Sequence, residues 1–325
     1  MDHSFELLAR LNGGIFTRAQ ALEIGASDRD LHAAVGARFL RRLRHGCYTP
    51  YGAYELLDPV ARHLLLCRAA LACQQGAVAL TGVSAAAVHG LALHQQNLDV
   101  VHLLRLDSGS TRGQVGIVHH RVVHDISKDL QEVAGFSVVS PARTVWEVAS
   151  SSTLESGVCT ADSALGRWPG LLDELITVGG SFSRRPGSRT ARLAVQLADG
   201  RAASVGESLS RVLCYRYALP KPELQHAVHG EDGQLLAVTD FWWPDHAHVG
   251  EFDGKIKYGE LLREGETPAD AVFREKRRED AVRATGLGMT RWTWADITPD
   301  GAPAWLRRLG ADLDRSRSLY ARRAA

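Results

Sequence analysis

Between residues 238 and 259 the chain reads VTDFWWPDHAHVGEFDGKIKYG, which sets Asp240, Glu251 and Asp253 in an apolar, aromatic stretch just ahead of Lys255 and Lys257. Carboxylates near buried surface are costly unless a cation or a hydrogen-bond donor meets them. If HAHVGEFDG is a strand, Glu251 and Asp253 share one face while Phe252 packs on the other. Asp240 lies on the preceding strand, LLAVTDFWW. The short turn at 244–247 makes the two strands antiparallel neighbours, with cross-strand Cβ atoms about 5 Å apart. Three acids at that spacing repel, so either one stays protonated or a cation joins them. Hard oxygen ligands with water completing the shell suit Mg2+ or Mn2+, held by Asp240, Glu251 and Asp253. Glu207 supplies a fourth acid if its helix packs over the sheet. Each residue also has a structural role open to it. Glu207 sits where a capping box would use it, three residues after Ser204. Asp240 can accept backbone or indole hydrogen bonds, and Glu251 and Asp253 can form ion pairs with Lys255, Lys257, Arg277 or Arg278.

The elements that would position these acids are legible from pattern. SVGESLSRVLCYRYAL, 204–219, reads as a helix that Pro220 and Pro222 stop. LQHAVH, LLAVTDFWW and HAHVGEFDG read as a three-stranded meander, turned at EDG and at Pro244-Asp245. ADAVFREKRREDAVRATG is a helix closed by Gly286, GMTRWTW a fourth strand, and PAWLRRLGADLDRSRSLYARRA a final helix. Helix, meander, helix, strand, helix is an α/β arrangement with a mixed sheet. The helix over 269–285 alternates charge, the mark of a solvated face, although Arg274, Lys276, Arg277 and Arg283 could line a phosphate channel. Trp242 and Trp243 read as packing residues.

At the other end, SFELLARLN reads as a short helix with Phe5, Leu8 and Leu11 on one side, ended by Gly13 and Gly14. Thr17 caps a second helix and Ser27 a third, DRDLHAAVGAR, whose Asp28 and Asp30 suit the helix dipole. FLRRLRHGCYTP follows as a strand, a turn at His45-Gly46 and a returning strand. Three small helices and a basic hairpin is the layout of a winged helix-turn-helix. It would place the third helix, with Arg29, in the major groove of double-stranded DNA, and Arg41, Arg42 and Arg44 against phosphates. The alternative is a small helical packing module with a solvated arginine turn. Between the two ends, helices at LDPVARHLLLCRAALACQQ, VSAAAVHGLAL, PARTVWEVASS and ESGVCTADSALGRW alternate with strands at NLDVVHLLRL, QVGIVHHRVV and FSVVS. His119 and His120, adjacent on a strand, would face opposite ways. GGSFSRRPGSRTARL, 179–193, reads as a linker entering a helix. The expected organisation is therefore an α+β multidomain chain. It runs as an N-terminal winged helix-turn-helix at 1–52, an α+β connecting domain at 53–200, and a C-terminal α/β, restriction-endonuclease-like mixed sheet at 203–325.

Composition narrows the setting. The 325 residues are 45% hydrophobic and 23% charged with a net charge of +1, so no global basicity points to nucleic acid; only the local arginines do. No apolar run approaches the roughly 20 residues that span a bilayer. The start lacks the basic and apolar regions of a signal peptide. The five cysteines are scattered without a CxxC spacing, which supports neither a zinc site nor a disulfide framework. A reduced, cytoplasmic protein is the expectation.

Glu207 on a helix, Asp240 on a strand and Glu251-x-Asp253-Gly254 on the next resemble the PD-(D/E)XK nuclease superfamily, closest to its very-short-patch-repair-like branch. The run EKRRED…RATGLGMTRWTWADI, 275–297, resembles that branch too, and the likeness covers residues 203–298. The stretch GGIFTRAQALEIGASDRDLHAAVGARFLRRLRHGCYTP resembles the winged-helix domain of AbiE-type, type IV antitoxins of actinobacteria. The resemblance implies metal-assisted phosphodiester hydrolysis, with Asp240 and Glu251 holding Mg2+ or Mn2+ and a lysine two residues after the second acid. That position is Asp253 here, so Lys255, Lys257 or Lys276 would have to take over. Two functions follow: an endonuclease targeted by its winged helix in phage defence or DNA repair, or a non-catalytic, antitoxin-like repressor using the nuclease-like fold as scaffold. Its partners would be double-stranded DNA and either a cognate toxin or a second copy of the chain.

Overall fold

The computed structural model describes residues 2–74, 76–107, 113–121, 126–254 and 267–320. Among them the chain is an α+β protein of thirteen α-helices and twelve strands in three sheets. It divides into two compact units, Met1–Thr160 with Gly170–Val195, and Ala161–Pro169 with Gln196–Ala325. No helix among the described residues is long and apolar enough to cross a membrane.

The first unit begins with α1 (Asp2–Leu11), β1 (Phe16–Thr17), α2 (Arg18–Glu23), α3 (Asp28–Gly36), β2 (Leu40–Arg44) and β3 (Cys47–Pro50). The two caps fall where the side-chain chemistry puts them. Thr17 with Gln20 and Ser27 with Asp30 each close a capping box, satisfying orphan N–H groups at the starts of α2 and α3. β3 is the middle strand of a small antiparallel sheet, with β2 on one side and the two residues of β1 on the other. Gly46 turns the hairpin at φ +72°, a conformation that costs glycine little. Phe5, Phe16, Leu31, Leu40 and Tyr48 form the core. The expected Phe5-Leu8-Leu11 face is corrected in one respect: Ala9, four residues after Phe5, shares its buried face, and Leu11 is exposed.

The same unit continues through α4 (Tyr51–Glu55), α5 (Pro59–Ala72), β4 (Val78–Leu80), α6 (Gly82–Val88), β5 (Val101–Arg105), β6 (Ile117–Arg121), β7 (Leu130–Val133), β8 (Phe136–Val139), α7 (Pro141–Ser151), the start of α8 (Leu154–Arg167, which belongs to the second unit from Ala161 on), α9 (Leu171–Phe182) and nearly all of α10 (Ser188–Leu197). Its five-stranded mixed sheet has the order β6-β5-β4-β8-β7. The strands carrying Leu103 and Val138 were anticipated; β4 and β7, three and four residues long, are too short to show a period. The segment 179–193, expected as a linker entering a helix, does enter α10 over its last six residues, but its first four residues end α9. Gly179 is not a breaker but a contact point, where the α9 backbone lies against the Trp146 ring.

The second unit holds α11 (Val205–Arg216), β9 (Glu223–His229), β10 (Leu235–Trp243), β11 (His248–Asp253), α12 (Pro268–Ala284), β12 (Gly288–Thr293) and α13 (Ala302–Leu319). β9, β10 and β11 form the antiparallel meander, and β12 joins β11 in parallel. Alternation separates two faces. Phe241, Trp243 and Trp292 pack with Trp305, Leu309 and Leu313 of α13, while Val249 and Met289 meet Val282 of α12. Two of these three buried indoles find partners: Trp243 donates to the Pro220 carbonyl and Trp292 to Ser210 Oγ, whereas Trp305 Nε1 meets none among the described residues. α11 is tied down by buried Asp162, which accepts from Arg211 Nη1 and Ser208 Oγ, each at 2.7 Å, and from the Asp199 N–H.

A paired substitution tests the reading of α9. At Gly179 an added methyl collides with Trp146, whereas at exposed Gly180 it meets nothing. Gly179→Ala should lower unfolding free energy by about 1–3 kcal/mol. Gly180→Ala should raise it by about 0.5–1 kcal/mol through helix propensity. Urea unfolding of the two variants, with opposite signs expected, checks both.

Candidate functional site

The four acids of the second unit sit on three elements. β10 and β11 pair Phe241 with Gly250 and Trp242 with Val249. One further step of that register sets Asp240 opposite Glu251, on the same sheet face. Glu251 is buried and fully engaged: Arg278 Nη2 of α12 donates to its two oxygens at 2.7 and 2.9 Å, and Arg291 Nη2 of β12 lies 2.6 Å from Oε2. Arg278 was among the ion-pair partners expected; Arg291 was missed. Parallel pairing brings it alongside Glu251, and nothing local in GMTRWTW announces which strand it will face.

Asp240 Oδ2 accepts the Phe252 N–H at 2.8 Å. Burial pushes the Asp240 carboxyl up to about 6; the Phe252 hydrogen bond and Arg278 pull against this, and the negative charges of Glu207 and Glu251 add to it. The charges of both Glu207 and Glu251 therefore act on Asp240. Glu207, however, is occupied by its helix start: it accepts the Ala203 N–H at 2.9 Å and Ser204 Oγ–H at 2.8 Å, and Gln225 Nε2 lies at 3.3 Å. Asp253 ends β11, half-buried and in register with Thr293. Lys255 and Lys257 lie outside the described residues. Lys276 is on α12, exposed.

This donor set does not fit the expected Mg2+ or Mn2+ as it is arranged. Glu251 is claimed by two guanidinium groups and Glu207 by cap donors. Among the described residues no group of three or more His, Cys, Asp or Glu side chains could hold a metal ion. All five cysteines are free thiols, four of them buried.

The basic hairpin forms a second candidate surface. Arg41 stacks over the Tyr54 ring at 4.3 Å and pairs with Glu55 at 3.3 Å. Arg44 donates to the Val115 carbonyl at 3.1 Å. Arg42 is exposed on β2, and Arg29 is exposed on the outer side of α3 beside His32. Of the four arginines expected to meet DNA, Arg29 on α3 and Arg42 on the wing thus point to solvent, and Arg41 and Arg44 are anchored.

No family profile matches the chain. Over 274 residues it is 33% identical to the uncharacterized proteins Rv2248 and MT2308 of two Mycobacterium tuberculosis strains, spanning 82% of this chain and 92% of each relative. The crystal structure of the RV2827C protein from Mycobacterium tuberculosis aligns with a TM-score of 0.41 and 15% identity, over 69% of this chain and 87% of that one.

Two measurements probe the acid cluster. Glu251→Ala leaves Arg278 and Arg291 facing each other without their acid, and should cost on the order of 3 kcal/mol of stability by urea unfolding. Asp240 binds its proton more tightly in the folded state, near 6 against 3.8 for the ordinary group. Between those values the unfolded chain has released a proton that the native state retains, so stability falls as pH rises through that window. Asp240→Asn should remove this part of the slope, seen as a wild-type minus variant difference in urea midpoint that changes between about pH 4 and 6 and is flat above.

Proposed function

We propose that the chain, which belongs to the family of the Mycobacterium tuberculosis proteins Rv2248 and MT2308, binds double-stranded DNA through an N-terminal winged helix-turn-helix. The observation that carries this reading is the order α1-β1-α2-α3-β2-β3, with β1 and β2 flanking β3. In such an arrangement α3 is the recognition helix and the β2–β3 hairpin the wing. Arg29 and His32 lie on the exposed side of α3 and would face base edges and the flanking backbone. Arg42, exposed on the wing, would meet a phosphate. The C-terminal sheet then serves as a nuclease-like scaffold, its key acid neutralised by arginine, in a non-catalytic regulator.

A second reading, phosphodiester hydrolysis, is favoured by one observation: Asp240 faces Glu251 across β10 and β11, and the charge of Glu207 also acts on Asp240. It requires Arg278 and Arg291 to release Glu251. Supercoiled plasmid incubated with Mg2+ or Mn2+ tests it. Nicking by wild type that is lost in Glu251→Gln establishes hydrolysis; no nicking leaves the regulator.

Binding has its own test. Arg42→Ala should weaken affinity for a random-sequence duplex and reduce the slope of log K against log salt by about 0.9, one phosphate's counterion release. Fluorescence anisotropy across a KCl series reads both. An unchanged slope would remove the wing from the interface.

A further inference from the structure

Beneath the hairpin lies a cavity of about 690 Å³, lined by Arg42, Arg44 and His45 from the wing and by Cys73, Gln114 and Val115 from outside it. The far wall is built, not incidental. Arg44 is fixed by the Val115 carbonyl, Gln114 by Gln74 Nε2 at 3.0 Å, and Cys73 Sγ lies 3.7 Å from the His45 carbonyl it donates to. Two arginines and a histidine line it, and among the described residues no acid does. Its cationic character extends toward β6: burial raises the pKa of the Cys73 thiol while the Arg44 charge opposes it, and burial lowers that of the His119 ring with Arg105, His120 and Arg44 adding to it. A pocket with guanidinium forks, an imidazole and an amide, and no carboxylate, has the donor set for a phosphate group.

We infer that this cavity seats a backbone phosphate of bound duplex DNA, so that the five-stranded-sheet module supplies half of a phosphate site whose other half is the wing. The inference rests on the winged-helix reading and extends it: the duplex contacts residues outside residues 1–52. Cys73 provides the readout, being the exposed one among the five free thiols. Maleimide labelling of the native protein therefore reports access to the cavity. With a random-sequence duplex at ten times its Kd, mass action leaves about a tenth of the pockets open, and labelling of Cys73 should slow about tenfold. Gln114→Glu keeps an oxygen to accept from Gln74 but adds a negative charge, and should weaken duplex binding without changing the urea midpoint.

The outcomes separate the two claims. If the duplex binds, with Arg42→Ala weakening it, but Cys73 labels at its free rate and Gln114→Glu binds normally, the cavity assignment is overturned and the winged helix stands. If inorganic phosphate protects Cys73 and the duplex does not, the assignment to DNA is overturned in favour of a free anion. No duplex binding at all overturns both.

Discussion

Arg278 from α12 and Arg291 from β12 both end on Glu251, in a setting where a lone carboxylate would be expensive. Much of the second unit's arrangement follows from satisfying that charge. α12 lies over the β10–β11 face so that Arg278 reaches it, and β12 lies beside β11 with Arg291 in register with Glu251. Arg291 also approaches Glu279 of α12 at 3.6 Å, tying helix and strand to each other. Asp240, opposite Glu251 in register, is left with one backbone N–H and the residual field of its neighbours, and so retains its proton to higher pH. Neutralisation by protein cations stands where the nuclease resemblance would put a metal.

In the first unit the decisive constraint is the short sheet in which β3 is central. With β1 on one side, β2 becomes an edge whose exposed arginine projects away from the Phe5–Phe16–Tyr48 core. Arg41 and Arg44 are spent on Tyr54, Glu55 and Val115, contacts that set the angle of the hairpin. Rigid placement of cations is what phosphate positioning demands.

Much of this was legible in the sequence, and what was not has physical reasons. The capping residues Thr17, Ser27 and Ser204 mark helix starts because their hydroxyls accept nearby N–H groups, a purely local event. The meander was readable from its turns, and with it the pairing of Asp240 with Glu251. Arg291 was not, because a parallel partner is chosen by packing and not by any turn. The Gly/Ser/Arg stretch from 179 misled for a similar reason: glycine signals a break locally, yet Gly179 is helical because the Trp146 ring needs the space. β1, two residues long, leaves no period at all. Two buried arginines with carboxylate partners, Arg143 with Glu147 and Arg211 with Asp162, likewise look like any others in a chain rich in arginine.

On the proposed function, DNA would meet the N-terminal unit while the C-terminal Glu251 stays paired with arginine. Hydrogen–deuterium exchange of the whole chain with and without a random-sequence duplex tests that directly. Slowed exchange across α3 and the β2–β3 hairpin, with β10 and β11 unchanged, is the result predicted. Slowing confined to β10, β11 and α12, with the hairpin exchanging as in the free protein, would contradict it.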